Sequence, residues 1–268
     1  MLAMSHWATM RLVFLFLLIS GHSLSVATEP ANGRSDQPMR IVYIDAGHGG
    51  MNTGAVGVDG LREKDVSLDI ATRMAKLLKK HTRYVTILSR TEDRFVGLRE
   101  RTRQANQKGA ELFVSIHVNS NPSPSRAGIE VYSLAAASHD EEAKAIVLRE
   151  EGGFVESTQT IMPTSVMHGL RLAASQRISV PFGRLVLEEL VASTGARNQG
   201  LRQASFAVLK EAMMPAVVAE VGYLSNVEEA EKLQDPAYRE LIAEGLVSAV
   251  LKWESVVPIG SVQAAQAR

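Results

Sequence analysis

The sequence predicts an α/β fold, a single domain with a mostly parallel, twisted sheet flanked by helices, and three observations carry that expectation. Short runs of β-forming apolar residues, such as Ile41 to Asp45 and Leu112 to His117, alternate with stretches whose apolar residues recur every three or four positions. A loop rich in glycine follows the first run directly, which is how a strand turns sharply into a helix. Polar residues able to do chemistry sit where strands end, and open α/β sheets bind ligands beyond the carboxyl ends of their strands.

Taken in order, the chain opens with Met1 to Met10, one basic residue, Arg11, and the apolar run Leu12 to Ile19. That run is too short to span a bilayer, and Ser25 and Ala27 are small residues at the spacing a signal peptidase accepts. The pattern predicts a signal peptide over residues 1–27, with a cut after Ser23 or an uncleaved anchor as alternatives and Met4 and Met10 as alternative starts. No later segment is apolar enough to span a membrane. Residues 28–39, with Pro30, Gly33, Ser35 and Pro38, read as a linker, 40–254 as the folded domain and 255–268 as a flexible tail.

The chain carries 29 Lys and Arg against 29 Asp and Glu, and loss of residues 1–27 removes only Arg11, leaving a formal charge of minus one. That balance excludes a nucleic-acid binder working by bulk electrostatics. Cysteine is absent, which excludes thiol nucleophiles, cysteine zinc sites and a lipoprotein anchor. No internal repeat is present.

Ile41 to Asp45 reads as a buried strand, and Gly47, Gly49, Gly50, Gly54, Gly57 and Gly60 punctuate the loop after it. Val66, Ile70, Met74 and Leu77 mark one face of a helix that starts near Lys64. His48 therefore falls at a strand's carboxyl end and Glu63 at a helix start. Two readings of the pair stand: a metal site reached across the loop, or a loop histidine beside a glutamate that favours the helix N-terminus. Val85 to Leu88 predicts a second strand, and Leu98 to Gln107 an arginine-rich helix. Arg90, Arg94, Arg99, Arg101 and Arg103 read as a solvated face, or with one of them holding an anionic substrate.

The third strand, Leu112 to His117, again ends in a histidine, and Ile129 to Leu134 predicts a fourth. If the first and third strands are neighbours, His48 and His117 converge, and with Glu63 they form the three-ligand set with one open position expected of catalytic zinc. His81, His139 and His168 lack this placement and read as surface or helix residues. Residues 138–151 and 166–190 read as mostly helical. Ala216 to Val221 is an apolar strand interrupted by Glu220, and burying that charge requires either a cationic partner or a polar cavity.

The motifs IDAGHGG, REKD, SIHVNS and PAVVAEVGYLSN together resemble the zinc-dependent N-acetylmuramoyl-L-alanine amidases of the amidase 3 type, over about Ile41 to Trp253. The resemblance implies hydrolysis of the amide between N-acetylmuramic acid and L-alanine in peptidoglycan, in wall remodelling or daughter-cell separation. It implies one zinc ion per chain at the carboxyl ends of the strands, His48, Glu63 and His117 as ligands, and Glu220 as the catalytic glutamate. Ala46 stands where many relatives have proline, and neither end carries a recognisable wall-binding segment. Another zinc peptidoglycan hydrolase, a carboxypeptidase or a deacetylase, is the alternative, and a non-catalytic wall-binding protein a further one. A serine hydrolase is excluded, since no G-x-S-x-G elbow is present.

Division amidases of that family carry an inhibitory helix between the fourth strand and the helix that follows. Here residues 135–178 are the corresponding regulatory insertion, and LREE at Leu148 to Glu151 resembles the LREN of relatives. The resemblance implies that Glu150, or second to it Glu151, caps the zinc until a protein activator displaces the helix. The plain alternative is a surface helix with solvated glutamates, ended by Gly152 and Gly153. The expected location is the periplasm, with secretion as the alternative.

Overall fold

The computed structural model describes residues 39–57, 59–135, 140–151 and 166–256. The expected signal peptide, all of the linker but Met39, and the tail beyond Val256 lie outside the described residues. Its first element is strand β1 (Arg40–Ala46), followed by helix α1 (Glu63–Leu78), strand β2 (Tyr84–Leu88), helix α2 (Leu98–Gln107), strand β3 (Leu112–Asn119) and strand β4 (Ile129–Leu134). Helices α3 (Glu141–Glu150) and α4 (Val166–Thr194) lead to strand β5 (Asn198–Ala204), a short 3-10 turn at Ala207–Leu209, strand β6 (Ala216–Tyr223), and helices α5 (Val227–Gln234) and α6 (Pro236–Val256).

The six strands form one sheet in the order β2-β1-β3-β6-β4-β5. All neighbours run parallel except β4 and β6, which are antiparallel. β1 and β3 lie side by side, so the two strands that end at histidines are neighbours as the convergence of His48 and His117 requires. Alternation along the strands divides the core into two layers. Val42, Ile44, Val114, Ile116, Val217, Ala219 and Val131 pack against α1, α4 and α6. Tyr43, Phe113, Val218 and Tyr132 face the opposite way, onto Ala105 of α2, Ala143 and Ile146 of α3, and Val208 and Leu209.

β5 was not expected from the sequence. Its residues, NQGLRQA, are polar, and only Ala204 is fully buried, because the strand closes the sheet's edge and needs no apolar face of its own. α6 runs to Val256, two residues past the expected boundary of the domain at 254. In α3 the Asp140 carboxylate accepts from the backbone N–H of Glu142 at 3.0 Å and of Ala143 at 3.2 Å, and this cap fixes the start of the helix.

Candidate metal and catalytic site

The loop after β1 is held by cations that composition alone assigns to solvent. Arg90 and Arg101 are 1% and 2% exposed, which corrects the expectation of a solvated arginine face for these two. Arg101 donates to Asp45 at 2.6 Å and to the carbonyls of Ala46, His48 and Val96 at 2.6, 2.8 and 2.9 Å. Arg90 donates to the carbonyls of Ala46, Gly47 and Lys64 at 3.1, 2.7 and 2.7 Å. A loop that turns this sharply leaves its carbonyls without strand partners, and two guanidinium forks supply the missing donors. Neither arginine is left to hold a substrate. Arg103, by contrast, is exposed and pairs with Glu100, as a solvated face requires.

Asp45 is wholly buried between Arg101 and the Ser115 hydroxyl, which donates at 2.7 Å. Burial opposes its ionisation, but the Arg101 guanidinium and that hydroxyl outweigh burial and hold the carboxyl below the ordinary aspartate value. Burial, then the nearby Arg101 charge, lowers the Arg90 guanidinium to about 10.

On this support the side chains converge. His48 has φ +58°, a left-handed conformation uncommon outside glycine that over-determined functional loops tolerate. Its Nδ1 lies 3.0 Å from Asn52 Oδ1, which places the Nδ1 proton on that bond and leaves Nε2 free to face inward. Glu63 is the first residue of α1, and its carboxylate accepts from the backbone N–H of Val118 and Ala55, both at 2.9 Å. Its Oε1 lies 3.0 Å from His48 Nε2 and 2.9 Å from His117 Nδ1. The close approach leaves no room for side chains at two glycines: a Cβ on Gly47 would meet the His117 ring at 2.6 Å, and one on Gly54 would meet Glu63 Oε2 at 2.4 Å.

A fourth group joins them from α3. Glu150 Oε2 lies 2.9 Å from both His48 Nε2 and His117 Nδ1, whereas Glu151 turns away and accepts from Ala207 N–H at 2.6 Å. His48, Glu63, His117 and Glu150 are all buried, with one ligand atom each inside a span of 4.8 Å. Two imidazoles and two carboxylates at that spacing are a donor set that fits a borderline cation such as zinc. Burial disfavours charge on every member, but the attraction between imidazoles and carboxylates prevails: both imidazoles are raised and both carboxylates are lowered.

Glu220 stands opposite His117 in the β3–β6 register and opposite Glu130 in the β4–β6 register. It is fully buried, and neither carboxylate oxygen has a hydrogen-bond partner. The ion-pair reading of Glu220 is thereby corrected, since no cation pairs with it among the described residues. Burial and the charges of Glu150, Glu63 and Glu130 push its carboxyl well above the usual range. Beside these groups lies a cavity of about 260 Å³, bordered by His48, His117, Glu150, Phe95, Val96 and Leu98. Of the other histidines, His81 is exposed, His139 lies outside the described residues and the side chain of His168 is not described.

Asn52, Arg90, Arg101 and Glu130 are site residues that the sequence reading missed as such. The one available clue was that IDAG places an aspartate inside an apolar strand, which demands a buried cation somewhere in the chain.

Comparison with known proteins gives one consistent family. Residues 42–252 match the family model described as N-acetylmuramoyl-L-alanine amidase. The chain is 30% identical to the N-acetylmuramoyl-L-alanine amidase AmiA of Salmonella typhimurium over 253 residues, 88% of this chain and 87% of that protein. It is also 30% identical to AmiC of Escherichia coli, covering 83% of this chain but only 54% of that relative. Among solved structures, the catalytic domain of CwlV, an N-acetylmuramoyl-L-alanine amidase from Paenibacillus polymyxa, superposes with a TM-score of 0.63 at 30% identity, over 82% of this chain and all of that one.

Proposed function

The chain belongs to the N-acetylmuramoyl-L-alanine amidase family, and from that premise we propose that it hydrolyses the muramoyl–L-alanine amide of peptidoglycan with one zinc ion held by His48, Glu63 and His117. The observation that carries the proposal is the approach of Glu63 Oε1 to within 3.0 Å of both inward-facing imidazole nitrogens, beside a buried glutamate with no partner. Bound zinc supplies Lewis-acid polarisation of the amide carbonyl and makes a water acidic near neutral pH. With a bound cation's charge offsetting the neighbouring carboxylates, Glu220 would be ionised and would accept the proton of the attacking water and deliver it to the nitrogen of the departing L-alanine. The C–N bond breaks, a C–O bond forms, and the products are a free stem peptide and a trimmed glycan. Glu220 suits proton transfer because its oxygens are committed to no other group.

Glu150 is the group that closes the site. Its Oε2 stands as near the two imidazoles as Glu63 does, so it fills the fourth position that a catalytic site keeps open. α3 is then an inhibitory helix, and an activating protein that draws it away exposes the site. The leader pattern over residues 1–27 supports export to the periplasm, and among the described residues no helix is long and apolar enough to cross a membrane. Digestion of purified peptidoglycan with and without a chelator, followed by mass spectrometry, tests the reading. Intact stem peptides beginning with L-alanine, released only without chelator, are expected. Release of single amino acids or of acetate would identify a carboxypeptidase or a deacetylase instead.

A further inference from the structure

We propose that Arg126 and Arg202 form the subsite that receives a carboxylate of the stem peptide, and that α3 covers this subsite with a carboxylate of its own. The inference rests on the proposed function and on α3 as its blocking helix.

The two arginines lie at the opposite end of α3 from Glu150. Arg202 donates to Glu142 Oε2 at 2.8 Å and to Asp140 at 3.2 Å, and Arg126 pairs with Glu142 Oε1. Both acids that hold Arg202 belong to α3 or its cap, so departure of the helix removes every anion paired with it among the described residues. Among the described residues Arg126 keeps Glu130, at 3.6 Å, and a bond of 3.3 Å to Gln199. Glu130 is itself committed to the hydroxyls of Tyr132 and Tyr223. Both arginines are about a quarter exposed even with α3 in place, at 26% and 22%. Lifting the helix therefore uncovers two guanidinium groups that lack a full anionic partner.

Their position matches the course of the substrate. Strand register sets His117 beside Glu220, Glu220 beside Glu130, and Tyr132, two residues on from Glu130 and on the same face, beside Arg202. The row crosses three strand spacings, about 14 Å. Glu142 and Glu150 are eight residues apart on α3, about 12 Å along its axis. The helix thus spans the row from end to end, one carboxylate on the two imidazoles and another on the two arginines. An extended peptide covers the same distance in roughly three to four residues. A stem peptide with its scissile amide at the histidines brings the acidic groups of its second to fourth residues to Arg126 and Arg202, where a planar guanidinium takes a carboxylate through two bonds.

The test uses the full chain carrying Glu142→Ala and Glu150→Ala, which takes the α3 carboxylates off both the arginines and the imidazoles, and two synthetic muramoyl tripeptides, one with free carboxyl groups on its second and third residues, the other with both amidated. The Glu142→Ala/Glu150→Ala chain is expected to show a KM about tenfold or more lower for the acid form. Adding Arg202→Ala or Arg126→Ala should raise the KM of the acid form to that of the amide, with kcat within about twofold. Arg202→Lys should restore part of the preference. Circular dichroism checks folding, and if Arg126→Ala does not fold, Arg202→Ala decides. Equal KM values for the two substrates in the Glu142→Ala/Glu150→Ala chain overturn the proposal while leaving the reaction assignment intact, as does an Arg202→Ala effect of the same size on both. Cleavage of neither substrate overturns the reading of the site, and this proposal with it.

Discussion

Replacing Arg101 with methionine removes the cation on which the loop between β1 and α1 is built. The guanidinium is 2% exposed and makes four hydrogen bonds, to Asp45 and to three carbonyls, one of them that of His48. Without it, Asp45 remains buried and ionised with the Ser115 hydroxyl at its other oxygen, and the Val96 and His48 carbonyls lose a donor. Removing one partner of a buried pair costs about 3–5 kcal/mol, a large share of the roughly 5–15 kcal/mol that stabilises a domain. For a domain of this size that corresponds to a fall in Tm of about 6–20 °C. Asp45→Asn keeps the shape and leaves an amide oxygen to accept, so its loss should be smaller, about 1.5–3 kcal/mol. The double variant Arg101→Met/Asp45→Asn should lose less than the sum of the two, because it strands no charge. The pair also predicts a pH dependence. The folded carboxyl titrates below its ordinary value of 3.8, so the stabilisation is complete above that value and disappears as pH falls through the lower, folded one. Thermal unfolding followed by circular dichroism, at neutral pH and then at stepwise lower pH, measures all three variants. A Tm within about 3 °C of the parent for Arg101→Met, or strict additivity in the double variant, would refute the account.

Four further outcomes follow from the site. Glu220→Gln should lower turnover about a hundredfold or more while metal content by elemental analysis stays near that of the parent, since Glu220 is proposed to move protons and not to bind metal. His48→Ala and His117→Ala should lower zinc affinity and activity together, whereas Asn52→Ala, which removes the oxygen that orients His48 and also accepts from Gly54 N–H at 3.1 Å, should cost about 10–100-fold in affinity; full occupancy in the histidine variants would count against the ligand assignment. Gly54→Ala drives a methyl to 2.4 Å from Glu63 Oε2 at φ +64° and should depress metal binding and activity in parallel, as titration with zinc would record. Glu150→Ala should raise peptidoglycan hydrolysis without any added partner by roughly ten- to a hundredfold, the weight of one set of charge-assisted contacts, and unchanged release of stem peptides from a folded variant would sink the blocking role.

What could be read in the chain and what could not divides along a physical line. β1, β3, β4 and β6 are buried on both faces, so they appear as runs rich in apolar residues, broken mostly where a side chain serves the site or its support. β5 closes an edge, carries an arginine and a glycine in its middle, and owes its existence to pairing with β4, which lies more than sixty residues away. Its pattern contains nothing that local propensity can detect. The parallel order was legible in outline from the alternation of strands and helices, but the antiparallel entry of β6 beside β4 depends on where the chain returns after α4. The arginines fail for a similar reason. Arg101 and Arg103 lie two residues apart on α2, yet the first is buried against Asp45 and the second pairs with Glu100 in solvent. What separates them is the set of carbonyls that the β1–α1 loop presents to one face of the helix, and those carbonyls are more than fifty residues upstream.

Two adjacent glutamates cannot be told apart by sequence alone, and only the resemblance of LREE to LREN singled out Glu150. Glu150 and Glu151 are chemically identical and differ by about 100° around the helix axis. Their fates are decided by Ala143, Ile146 and the half-buried Val147, which seat α3 on Tyr132, Phe206 and their neighbours. With that face fixed, Glu150 points to the imidazoles, and Glu151 points to the backbone of the 3-10 turn at Ala207. Exchanging the two roles would require turning the helix and exposing Ile146, a loss of roughly 1.5–3 kcal/mol for one buried aliphatic side chain. A carboxylate of this kind is therefore placed by the apolar stripe beneath it, and the stripe is the feature to read first when the glutamates themselves do not discriminate.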